Sequence, residues 1–125
     1  MDPNAHLNNL ALESLHEDAR AVLTGQVFPG THDPAGREQR LVTSQNVVHF
    51  LAEAYWPAMI DTYVGVGRIG RTSFVLSSAL FHAGSCISLC DAVMVAVGED
   101  GPVSIPAVAR KALENLRLRV RVAGS

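Results

Sequence analysis

Two short stretches of the chain bring together side chains of the kind that chemistry requires. Near the start, Asp2, His6 and Asn9 fall within DPNAHLNN, directly ahead of an amphipathic run. The first backbone N–H groups of a helix are unpaired and its dipole is positive there, so such a spot suits a developing oxyanion. A carboxylate beside it has the makings of a general base or nucleophile for acyl transfer. The same residues also fit a polar, capped chain end. The second stretch is Arg68, Arg71, Thr72 and Ser73, whose guanidiniums, hydroxyls and turn amides could hold a phosphate. A solvated hairpin tip is the plainer alternative.

Other motifs lose their meaning in context. Gly65, Gly67 and Gly70 in GVGRIG match GxGxxG, and Asp91 follows about 20 residues later, as in a dinucleotide fold. The chain then continues RTSFVLSSALF, whose alternation is that of a strand, whereas the fingerprint needs a helix start facing the pyrophosphate. These glycines therefore predict a bulged or sharply turned strand connection, and no nicotinamide or flavin is expected. GxSxG, the Walker lysine motif and HExxH are absent. Cys86 and Cys90, four apart in a strand, would share one face about 13 Å apart, too far for a disulfide. With five histidines scattered singly, they read as small core residues, and no metal is expected. Arg110, Lys111, Arg117, Arg119 and Arg121 suggest a charged outer face, and Glu17 and Asp18 solvated helix positions.

The elements that must position these residues follow from periodicity. From Leu10, the residues Leu12, Leu15, Ala19, Val22 and Leu23 recur at three and four, with Glu13, His16, Glu17 and Arg20 opposite. This predicts a helix capped by Asn8 or Asn9 and stopped at Gly25. Gln26 to Arg40 is a long loop rich in proline and glycine. Strands are predicted from Arg40 to Tyr55, Met59 to Val66, Ser73 to His82 and Cys86 to Val97, the last two joined by the hairpin AGS. The last strand has unequal faces. Ile87, Leu89, Val93 and Val95 lie on one side, and the small residues Cys86, Ser88, Cys90, Ala92 and Ala96 on the other, where a helix can approach closely. After GEDGP, Pro106 opens a short helix bearing Val108, Ala112, Leu113 and Leu116. The sum is an α+β fold with one helix on one face of a curved antiparallel sheet. The other face stays apolar, which predicts a second subunit or a bound chain over it.

Bulk properties agree. The chain has 125 residues, 48% of them hydrophobic, and a formal net charge of −2, values that fit one folded domain without a disulfide or metal scaffold. The charge balance argues against a dedicated nucleic-acid binder. No stretch is long and apolar enough for a membrane span, and DPNAHLNN is unlike a signal peptide, so a cytoplasmic location is expected.

DPNAHLNN followed by LALESLHEDAR resembles the DxxGHVNN and helical pattern of the 4-hydroxybenzoyl-CoA thioesterase-like branch of hotdog-fold acyl-CoA thioesterases. RIGRTSF, preceded by AEAYWPAMIDTYVGV, and SLCDAVMVAV followed by GEDGPVSIP are similar to later regions of that family. The resemblance runs from Asp2 to about Pro106. It implies a hotdog fold, a homodimer or homotetramer with sites between subunits, and an acyl-CoA substrate, with coenzyme A entering only as part of that substrate. Asp2 then matches the catalytic carboxylate, the amide of Asn9 the oxyanion donor, and Arg68, Arg71 and Ser73 the region that contacts CoA phosphates, with Thr72 between them. His6 accompanies Asp2 in the motif. Ala5 stands where the family has glycine. The family also places a strand before the carboxylate, and only Met1 precedes Asp2. The expectation is a single hotdog domain over residues 1–125 with its first strand missing, as in a chain truncated at its N-terminus, and a flexible tail at 117–125. In that tail LRLRVRV alternates like a strand that could add to a sheet edge. A non-catalytic hotdog subunit that binds acyl groups or only assembles is the alternative to hydrolysis.

Overall fold

Period 3.6 gives way to period 2 where the sequence shows it should. The computed structural model describes residues 9–28, 40–52 and 59–117. Helix α1 (Asn9–Val27) is followed by strands β1 (Arg40–Phe50), β2 (Ile60–Ile69), β3 (Ser73–His82) and β4 (Ser85–Gly98). A two-residue strand β5 (Gly101–Pro102) and helix α2 (Ala107–Asn115) complete the order. The strands lie in the order β1-β4-β3-β2 with antiparallel pairing throughout, and β5 adds to β4. β1 is thus an edge strand that crosses over to pair with β4 rather than with its successor. The α+β class and the helix on a curved antiparallel sheet are as the sequence implies.

The face that α1 turns to the sheet differs from the expected one. Leu12, His16, Arg20, Leu23, Thr24 and Val27 are buried, whereas Leu10 and Val22 are 72% and 64% exposed. Spacing by four along Leu12, His16, Arg20 and Thr24 puts them on one stripe, and polar partners in the sheet let that stripe face inward. Glu17 and Asp18 are exposed, as expected. Gly25 does not stop the helix, which continues to Val27; its backbone is not in the left-handed region, so no glycine cap forms there.

Underneath, the inward residues of β4 are Ser88, Cys90, Ala92, Met94 and Ala96, mostly the small side chains that allow close approach. The register between β3 and β4 shifts at Leu80/Phe81, where Cys86 pairs with Phe81 and Ser88 with Leu80. Ile87 is the extra residue of this bulge and turns inward against Leu12 and Leu80. The bulge also separates the cysteines. Cys86 shares the outward face of Phe81, while Cys90 shares the inward face of Ser78, so they do not lie on one face as their spacing suggests. Both are free.

A larger core joins the C-terminal half of α1 (Leu23, Val27) and Phe28 to Val66, Phe74, Ala96, Ala109 and Leu113. Phe28 stacks on Phe74 with ring centroids 5.7 Å apart. Pro106 precedes α2, which buries Ala109 and Leu113; Val108, expected on its apolar face, is 85% exposed. β3 and β4 are joined by Ala83 and Gly84, both at positive φ, the tight hairpin that AGS indicates. A strand, β3, follows Gly70, and β2 bulges between Val66 and Ile69, so the GVGRIG glycines serve a strand connection. At the other edge, Val66 forms an isolated parallel bridge with Arg117, and its N–H donates to Leu116 O at 3.1 Å. The remainder of LRLRVRV lies outside the described residues.

Candidate functional site

Asp2 and His6 lie outside the described residues; Asn9 is the first residue of α1 and is exposed. No acidic side chain sits in the first turn, so the positive end of the helix is not neutralised there. The contacts of α1 place this end. Leu12 packs on Leu80 and Ile87, near the β3–β4 hairpin, while Leu23 and Val27 join the core with Phe74 at the start of β3. Helix and strand therefore run antiparallel, with Asn9 at the hairpin end.

The second cluster sits at the opposite end. Arg68 is the next-to-last residue of β2, and Gly70 to Thr72 form the turn into Ser73 of β3. Its carbonyls are engaged: Ser73 O accepts from Gly70 N (2.7 Å), Thr72 O from Ala96 N (2.9 Å) and Arg71 O from Ile105 N (2.9 Å). Arg110 of α2 donates to Gly70 O at 2.7 Å and Arg71 O at 3.2 Å, a role that a purely outer charged face does not anticipate. Arg71 itself donates to Ser104 Oγ at 3.0 Å. Arg68 lies apart from these, lining an open recess of about 400 Å³ on the outer face of the sheet with Gln45, Val47, Gly67, Val75, Ser77, Asp91 and Val93. Within the recess Ser77 Oγ donates to Asp91 Oδ1 at 2.6 Å. The ten residues of β3 separate this turn from the hairpin end by roughly 30 Å. One chain therefore cannot bring Asn9 and the Arg71 turn to a single small ligand.

Between the two ends runs a polar seam that sequence patterning missed. His16 is fully buried, with Nδ1 2.7 Å from Ser78 Oγ and Nε2 2.9 Å from Ser88 Oγ. Ser88 Oγ donates to His49 O at 3.0 Å. That carbonyl can only accept, so the Ser88 proton is committed, Nε2–H donates to Ser88, and Nδ1 accepts from Ser78. Burial, aided by the Arg20 guanidinium, lowers the His16 pKa to about 4, keeping the ring neutral in this arrangement. One turn along α1, Arg20 Nη1 donates to Cys90 Sγ at 3.4 Å, and Cys90 Sγ donates to Asn46 Oδ1 at 2.8 Å. Burial pushes the Cys90 thiol up, so it stays protonated. The signal for this seam was the i, i+4 pair His16 and Arg20 facing alternate inward residues Ser78, Ser88 and Cys90. Only the pairing of helix face with sheet face reveals it.

Among the described residues there is no group of three His, Cys, Asp or Glu side chains placed to hold a metal ion, and no helix long and apolar enough to cross a membrane.

The pattern of a thioesterase-like superfamily matches residues 1–113. Among solved structures, a protein of Pseudomonas aeruginosa is similar at 24% identity, with 97% of this chain and 88% of that one covered and a TM-score of 0.79. A thioesterase of Thermus thermophilus, complexed with coenzyme A and zinc, is similar at 22% identity over 93% of this chain and 85% of its own, with a TM-score of 0.77. A thioesterase superfamily protein of Jannaschia is 25% identical over 90% of this chain and 73% of its own, with a TM-score of 0.76. No match was found among the curated proteins.

Proposed function

Because the chain belongs to the thioesterase-like superfamily, we propose that it is a hydrolase of acyl-CoA thioesters. The observation that carries this reading is the family match over residues 1–113, which spans DPNAHLNN, α1 and the whole sheet. The coenzyme A bound in the Thermus thermophilus relative supports a CoA-linked substrate.

In this reading Asp2 is the general base that activates water, or the nucleophile that attacks the thioester carbonyl. The positive end of α1, with the N–H of Asn9, stabilises the oxygen of the tetrahedral intermediate. His6 lies beside this carboxylate in sequence. The cation-bearing turn of Arg71, Thr72 and Ser73 supplies contacts for CoA phosphates, with Arg68 on the adjoining face. Since turn and helix start lie at opposite ends of the sheet, a site using both takes one from each of two copies. Antiparallel association of two chains brings opposite ends together, and the homodimer or homotetramer implied by the resemblance provides for it.

Release of free CoA thiol from a panel of acyl-CoAs tests the reading. Wild-type protein should turn over at least one of them, and Asp2→Asn should lower kcat by about a hundredfold or more with the oligomer intact. Absence of thiol release across the panel would leave the non-catalytic hotdog subunit as the function. Unchanged turnover in Asp2→Asn would move the chemistry to another carboxylate.

A further inference from the structure

α1 packs chiefly on β2 and β3, away from the inner face of β1 at the opposite edge of the sheet. That face carries Asn46, exposed, half-buried Val48 and Phe50, 40% exposed. It is an apolar floor with an amide in it, the composition of a small-molecule site oriented by a few polar groups.

The direction of that amide is set from behind. A guanidinium has donors only, so at Cys90 the sulfur accepts from Arg20 and the thiol hydrogen must go elsewhere. Asn46 Oδ1, 2.8 Å away, takes that hydrogen. With Oδ1 held by Cys90, the NH2 group of the exposed Asn46 is left on the side of the amide away from the thiol. Burying Arg20 to 8% exposure is costly for a charge, and one of its donors is directed at a neutral thiol.

We propose that Asn46 is the hydrogen-bond donor of the acyl pocket and selects acyl groups that carry an oxygen acceptor, with Cys90 and Arg20 as its positioning residues. This rests on the thioesterase reading above. A neutral amide beside Val48 and Phe50 suits an oxygenated acyl group; a phosphate would call for a cation in its place. A site built to donate a hydrogen bond discriminates against the analogue that lacks the acceptor, because its donor is then left unpaired.

The experiment compares kcat/KM for hexanoyl-CoA with its 3-oxo and 5-oxo counterparts, using the full chain. Wild-type protein should favour one oxo substrate by about tenfold, the worth of one hydrogen bond between neutral groups. Asn46→Leu and Asn46→Asp, the second of which replaces donors by acceptors, should bring the ratio close to one. Cys90→Ser keeps a hydroxyl donor and should retain the preference, whereas Cys90→Ala should lose it through a higher KM for the oxo substrate. A purely structural role would change all substrates together and leave the ratio intact. An indifferent wild type, or a preference that survives Asn46→Leu, overturns the proposal; one that survives Cys90→Ala removes the positioning role. Should no acyl-CoA be hydrolysed, the thioesterase reading falls separately, and the same ratio taken from dissociation constants of the thioether analogues decides the matter for Asn46.

Discussion

Arg110 reaches from α2 to the carbonyl of Gly70, 2.7 Å away, and to that of Arg71 at 3.2 Å, tying the β2–β3 turn to the C-terminal helix. The turn that carries Arg71, Thr72 and Ser73 is thereby held at both its backbone and its flank, since Ile105 N also donates to Arg71 O.

Removing the guanidinium leaves carbonyls that had accepted charge-assisted bonds. Arg110→Ala should destabilise the fold by about 1–3 kcal/mol in urea unfolding. Both bonds leave the single nitrogen Nη2, so Arg110→Lys, which keeps one charged donor nitrogen, should recover part of that loss. Equal midpoints for wild type and Arg110→Ala would show that the two bonds contribute nothing net.

His16 gives the fold an acid-sensitive component. Its folded pKa, about 4, lies below the ordinary value of 6.5, so between these limits the unfolded chain binds more protons. Its contribution is complete above the unfolded pKa and is lost as pH falls through the window to about 4. The loss is up to roughly 3 kcal/mol, from 1.36 kcal/mol per unit. Urea midpoints measured between pH 7 and 4 should fall more steeply for wild type than for His16→Gln, which has no ring to protonate. Parallel slopes for the two proteins would contradict the buried, neutral imidazole.

How much of this was legible in the sequence depends on what the pattern encodes. β3 and β4 announce themselves by alternation and the AGS link, and GVGRIG declares its strand context through RTSFVLSS. The buried face of α1 does not follow hydrophobicity, since Leu10 and Val22 are exposed while His16 and Arg20 are buried. His16 and Arg20 face inward because Ser78 donates to His16 while Ser88 and Cys90 accept from His16 and Arg20, and those partners lie more than 60 residues away along the chain. The separation of the cysteines was hidden for a different reason, since a one-residue bulge at Ile87 reverses every parity argument beyond it. The antiparallel course of α1 over the sheet, which parts Asn9 from the Arg71 turn, is a tertiary fact with no local signature.

At the β3–β4 hairpin, Ala83 has φ 51° and Gly84 φ 81°. Two positive φ values between His82 and Ser85 give a type I′ turn, and an alanine in the left-handed region costs about 1–2 kcal/mol. Asparagine tolerates that conformation and is favoured in such turns. Ala83→Asn should therefore stabilise the protein by about 0.5–1 kcal/mol and raise Tm by a few degrees, whereas Ala83→Val should lower it. A fall in Tm for Ala83→Asn would show that the alanine is not strained.

The outer face of the sheet supports the last expectation. Val47, Leu89 and Tyr63 point away from α1 and are 40%, 42% and 60% exposed, and the T-shaped pair of Tyr63 with Phe81 extends the same apolar surface. No described element covers this face, and the far edge of β1 pairs with no described strand. An apolar face and a free edge of this extent are what association conceals in a stable protein. Sedimentation at micromolar concentration should show a dimer or larger. Leu89→Arg places a charge in the middle of the outer face, so an assembly that uses this face should dissociate at least about tenfold more readily, the effect of losing 1.4 kcal/mol. Wild-type protein sedimenting as a folded monomer would refute association altogether. An assembly indifferent to Leu89→Arg would place the contact at the β1 edge instead, where backbone pairing between copies is little affected by a side chain on the outer face.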